Sequence, residues 1–115
     1  MITHMYTSRD GALVGKSGVY EGSIIKITRN STITLGRDPK KCNVVISENN
    51  EKVSRVHCHV NYDLIDNVYI IVDESTHGTI IQQGQNRVLI KGQSLNAHSG
   101  DIICLGDTKN CFELL

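Results

Sequence analysis

Ser54-Arg55-Val56-His57-Cys58-His59-Val60-Asn61-Tyr62-Asp63 carries the plainest structural signal in the chain. From Val56 on, apolar and polar residues alternate: Val56, Cys58, Val60 and Tyr62 share one face, and His57, His59, Asn61 and Asp63 the other. That period of two predicts a half-buried strand. Ile65-Asp66-Asn67 then turns the chain into Val68–Asp73, an apolar run expected of a central strand. Outward from this pair, strands are expected over 23–28, 32–35, 43–46, 79–82, 87–90, 102–105 and 111–115, with glycine, asparagine and aspartate between them. Residues 23–28 and 32–35 flank Arg29-Asn30-Ser31 and read as a hairpin that delivers Gly36-Arg37 at its far end.

Composition agrees. Ile and Val number 24 against 2 Ala and 8 Leu, and branched Cβ atoms favour a pleated sheet over a helix. At 115 residues the chain suits one compact domain. The expected fold is all-β, a two-sheet antiparallel β-sandwich of about 11 short strands. Residues 1–10 lack periodicity and read as a mobile lead-in, or as the place where a longer protein was cut. The domain itself is expected to span 11–115.

Lys and Arg total 12, balanced by 12 Asp and Glu, so no bulk field draws the chain to nucleic acid or an anionic membrane. No apolar run is long enough for a membrane span and no signal peptide is evident, which points to a cytosolic segment. Cys42, Cys58, Cys104 and Cys111 lack paired C-x-x-C spacing and are read as reduced, mostly buried thiols. On a strand, His57 and His59 could share an ion but Cys58 could not, so no metal site is expected. Gly11-Ala12-Leu13-Val14-Gly15-Lys16-Ser17 imitates a phosphate-binding P-loop. It has three residues between its glycines where that loop needs four, and a strand rather than a helix follows.

Locally the charge is uneven: residues 37–55 hold Arg37, Lys40, Lys41, Lys52 and Arg55 against Asp38, Glu48 and Glu51. Arg37, Ser54, Arg55 and Thr76 fall on three different predicted loops. If those loops share one end of the sandwich, a guanidinium fork and hydroxyls converge on a shallow anion site suited to a phosphorylated side chain.

In order and spacing, Gly36-Arg37, Ser54-Arg55-Val56-His57 and Ser75-Thr76-His77-Gly78-Thr79 resemble the Gly-Arg, Ser-x-x-His and Asn-Gly-Thr pattern of forkhead-associated (FHA) domains. The resemblance runs from about residue 22 to residue 114 and includes Gly100-Asp101 and Leu105-Gly106. It implies a phosphothreonine-dependent interaction module with no enzymatic activity and no cofactor, recruiting a parent protein to partners marked by a Ser/Thr kinase. Arg37 and Ser54 would contact the phosphate, Arg55, Thr76 and His77 would line the phosphopeptide site, and Gly36, His57, Gly78 and Thr79 would support it. His77 stands where the family has Asn; an imidazole replaces only part of that amide's hydrogen bonding and would make binding pH-sensitive. The isolated domain is expected to be monomeric. The alternative on the same fold is an interaction or self-association module indifferent to phosphate. Nucleic-acid binding through Lys40, Lys41 and Lys52 is disfavoured by zero net charge and few aromatics.

Overall fold

The computed structural model of the protein describes residues 10–47 and 49–115. Most of the expected lead-in, residues 1–9, and Glu48 of the basic segment lie outside the described residues. Eleven strands are present among the described residues: β1 Gly11–Ser17, β2 Ile24–Ile27, β3 Thr32–Gly36, β4 Val44–Val45, β5 Cys58–Asp63, β6 Val68–Asp73, β7 Thr79–Gln83, β8 Gln85–Leu89, β9 Ser94–Ala97, β10 Ile102–Leu105 and β11 Cys111–Leu114. They form two sheets, one ordered β2-β1-β11-β10-β7-β8 and the other β4-β3-β5-β6-β9. Among these strands every pairing is antiparallel except β3 with β4. The expected all-β sandwich is the observed one.

Leu13, Ile27, Leu35, Ile71, Ile81, Ile103 and Phe112 are fully buried between the sheets. Cys58, Val60 and Tyr62 of β5 join them while His59, Asn61 and Asp63 stay half-buried, as alternation requires. The Tyr62 ring packs on Tyr69, centroids 4.8 Å apart.

Several expectations are corrected. The P-loop lookalike is β1, and Gly15 serves close packing: a Cβ there would lie 1.9 Å from the Tyr20 carbonyl oxygen. Residues 23–35 do not make a hairpin, because β2 pairs with β1 and β3 with β5, so the chain crosses between sheets at Arg29–Ser31. The crossing sends Ile27 and Leu35 into one core from opposite walls, and Asn30 fixes it by donating its N–H to Tyr62 O at 2.8 Å. The alternation begins at Cys58, since His57 is buried and Val56 only half so.

The cysteines also depart from expectation: Cys104 and Cys111 form a disulfide, while Cys42 and Cys58 are free. The two sit directly opposite on β10 and β11, flanked by Leu105 N–H bonded to Asn110 O, so theirs is a non-hydrogen-bonded pair. Such pairs bring Cα atoms closest, here to 4.1 Å.

Strand registers give the sandwich two poles. The connections after β3, β4, β6, β8 and β10 emerge at one pole; those after β2, β5, β7 and β9 emerge at the other, near Gly11 and Leu115.

Candidate functional site

The first pole is laced together from the backbone upward. Beyond β3, Arg37 N–H donates to Ser54 O and Asp38 N–H to Arg55 O, each at 3.1 Å, so the ladder carries the Gly-Arg pair alongside the Ser-Arg pair. This approach needs a residue without a side chain: a Cβ on Gly36 would lie 2.2 Å from Arg55 O. Arg37 is exposed, and its Nε–H donates to the Val53 carbonyl. That bond tethers the guanidinium and leaves the Nη donors for a ligand.

Ser54 is held at both ends. Its N–H donates to His57 Nδ1 at 3.1 Å, and its Oγ accepts from Thr76 N–H at 3.0 Å. An accepting hydroxyl keeps its own proton, so Ser54 can still donate outward. His57 Nδ1 is thereby an acceptor, which puts the ring proton on Nε2, and Nε2–H donates to Gly78 O at 2.9 Å. Both bonds call for a neutral ring; burial pushes the imidazole below its ordinary range, against smaller opposing effects of Gly78 O and Asp73.

The loop between β6 and β7 has its own anchor. Buried Asp73 accepts from Ser75 N–H at 3.0 Å, Ser75 Oγ–H at 2.8 Å and Thr79 Oγ1–H at 2.6 Å. Ser75 Oγ in turn accepts from Gly78 N–H at 2.7 Å. Gly78 adopts a positive φ of 91°, and a Cβ there would meet Val88 Cγ1 at 2.7 Å, so glycine is required on both counts. Gly78 O also accepts from Gly106 N–H at 3.0 Å, tying the β10–β11 connection to the same loop.

Above this scaffold lies an open depression of about 370 Å³ bordered by Arg37, Ser54, Arg55, Thr76 and His77. All five residues expected to touch a ligand are thus brought to one place, with Gly36, His57, Gly78 and Thr79 buried beneath or beside them. Lys91, Glu51 and Glu74 also border it, and sequence reasoning missed them. Lys91 belongs to no motif and arrives only because β8 ends at this pole. Three fixed cations, Arg37, Arg55 and Lys91, face two carboxylates, an arrangement that suits a compact anion more than a long polyanion. Among the described residues no three of His, Cys, Asp and Glu converge as metal ligands.

A family model described as FHA domain matches residues 33–106. Among solved structures, the FHA domain of the CT664 protein from Chlamydia trachomatis superposes with a TM-score of 0.76 at 20% identity, covering 93% of this chain and 97% of that one. The FHA domain of an Arabidopsis thaliana hypothetical protein gives 0.76 at 25% identity, covering 93% and 85%. The MEK1 FHA domain in complex with a HOP1 phosphothreonine peptide gives 0.70 at 20% identity, covering 91% and 94%. No curated protein sequence matches significantly.

Proposed function

Because the chain belongs to the FHA-domain family, we propose that it is a phosphothreonine-dependent protein interaction module that brings its parent protein to partners phosphorylated by a Ser/Thr kinase in the cytosol. The observation that carries this reading is the convergence of two unspent donor groups: the Nη donors of a guanidinium tethered at Nε, and the hydroxyl proton of Ser54. A phosphate near pH 7 brings close to two negative charges and several acceptor oxygens to such a site. Thr76, Arg55 and His77 stand at the rim, where they would meet the ligand backbone and the residues flanking the phosphothreonine. The known relative bound to a HOP1 phosphothreonine peptide supports the same assignment.

Catalysis has no support in the same geometry. A serine hydrolase needs a base on the hydroxyl, yet His57 bonds to the Ser54 backbone N–H, and its other nitrogen is taken by Gly78 O. The module binds and does not turn over.

The test is a titration with degenerate phosphothreonine, phosphoserine and unphosphorylated peptide pools, repeated with Arg37→Ala and Ser54→Ala. Each substitution removes charged hydrogen bonds worth about 1.5–3 kcal/mol, or about 10- to 150-fold in affinity. Binding indifferent to both phosphate and Arg37 would replace this reading with phosphate-independent assembly, which sedimentation would reveal as a dimer unaffected by Arg37→Ala.

A further inference from the structure

β8 and β9 are free edges, one from each sheet. Between them lies a cleft of about 540 Å³ with Leu89 and Leu95 in its lining and Arg87 and Ser94 at its sides. A single short segment serves both cavities: Leu89 and Gln93 border the cleft, and Lys91, between them in the chain, borders the depression. Ile90, in the same segment, is exposed.

Two features say what would fill it. Asp73 exchanges hydrogen bonds with Gly92 and Gln93, and antiparallel pairs alternate, so the backbone N–H and C=O of Ser94 turn away from β6 toward the open edge. Gln83 Nε2–H already covers the next outward carbonyl, that of Asn96, at 3.2 Å. The Ser94 N–H and C=O are left as the open backbone pair of this edge, the kind of group through which an extended chain adds to a sheet. Arg87 and Lys91 are exposed, and neither makes an ion pair among the described residues. Among the described residues no carboxylate borders the cleft.

We propose that the β8–β9 cleft receives an extended segment, acidic and apolar in alternation, of the same polypeptide whose phosphothreonine occupies the depression. The proposal rests on the phosphopeptide reading and extends it. The phosphate contact would raise the local concentration of the segment, so a weak second contact adds to affinity without strong bonds of its own. A basic residue on an edge strand also discourages chance pairing between proteins, a role that predicts no gain from an acidic segment.

The experiment uses fluorescence anisotropy with the 115-residue chain and phosphothreonine pools with degenerate flanks. The pools carry a tail of alternating Glu and Val, of Lys and Val, or of Gly and Ser, on either the N- or the C-terminal side. The expected result is that the Glu/Val tail on one side tightens binding about three- to tenfold over the Gly/Ser tail. Arg87→Glu should abolish that gain, shift the preference to the Lys/Val tail and leave Gly/Ser-tailed binding unchanged, with Arg87→Gln falling between. Circular dichroism checks that both variants are folded. Phosphate-dependent binding with no tail preference on either side overturns the cleft assignment, as does a gain that survives Arg87→Glu. Absence of phosphate dependence, or of any binding, overturns the phosphopeptide reading and this inference with it.

Discussion

Thr79→Val isolates what holds the β6–β7 loop. Valine keeps the size of threonine and replaces the hydroxyl with a methyl group, so packing in this fully buried position changes little. The hydrogen bonding changes a good deal. Thr79 Oγ1–H donates to Asp73 Oδ1 at 2.6 Å, in surroundings dry enough that burial pushes the neighbouring Cys58 thiol up to about 12. Removing it leaves the Asp73 carboxylate with the two donors of Ser75 alone. A hydrogen bond to a buried charged group is worth about 1.5–3 kcal/mol, and the stranded carboxylate has no solvent to turn to. At about 2.1 cal/mol/K per residue, that loss lowers the melting temperature by about 6–12 °C in a chain of this length. Urea denaturation at neutral pH measures it directly, with the slope unchanged if the unfolded state is unaffected. Combined with Ser75→Ala, it should also show coupling of at least about 0.5 kcal/mol, because both donors serve one oxygen. A loss below about 0.5 kcal/mol, the range of ordinary surface changes, would refute the view that Asp73 organises the loop.

Three further predictions concern other parts of the scaffold. Gly36→Ala puts a methyl group 2.2 Å from Arg55 O and should cost about 3 kcal/mol or leave the chain unfolded, as judged by urea denaturation; wild-type stability would refute the close approach. His57 titrates below its unfolded value, so the unfolded chain takes up the proton first, and stability contributed by this group is full above about pH 6.5 and lost as pH falls below it. Its imidazole resonances should accordingly titrate with a midpoint below that of a histidine in the unfolded chain; a midpoint above it would contradict the buried neutral ring. Reducing the Cys104–Cys111 bond opens a short closed loop and should lower stability by about 2.5 kcal/mol on the chain-entropy account, with Cys104→Ala/Cys111→Ala insensitive to reductant. Equal denaturation midpoints for the wild-type chain with and without reductant would exclude the staple.

β5 was legible in the sequence because one of its faces is buried and the other is not, which leaves a period of two in the residues themselves. The same rule misplaced His57: a polar side chain buried for two hydrogen bonds looks, to a hydrophobicity pattern, like one facing water. β9 escaped notice because Ser94-Leu95-Asn96-Ala97 is a short edge strand with little apolar alternation to read. The disulfide was hidden for another reason. Whether Cys104 meets Cys111 depends on the β10–β11 register, and that is set by a turn that Cys spacing does not describe. In the site, residues within motifs were found and Lys91 was not, since only sheet topology brings the end of β8 to this pole.

The separation of the two poles has a practical consequence. Leu115 N–H pairs with Ala12 O at 2.9 Å, so Leu115 and the start of β1 lie side by side at the pole opposite Arg37 and Ser54. A biotin, a fluorophore or a sensor surface attached at Leu115 therefore lies about the length of a strand from the depression and leaves it open to solvent. The domain can be immobilised through that pole in a uniform orientation, with every molecule presenting the same face to the liquid.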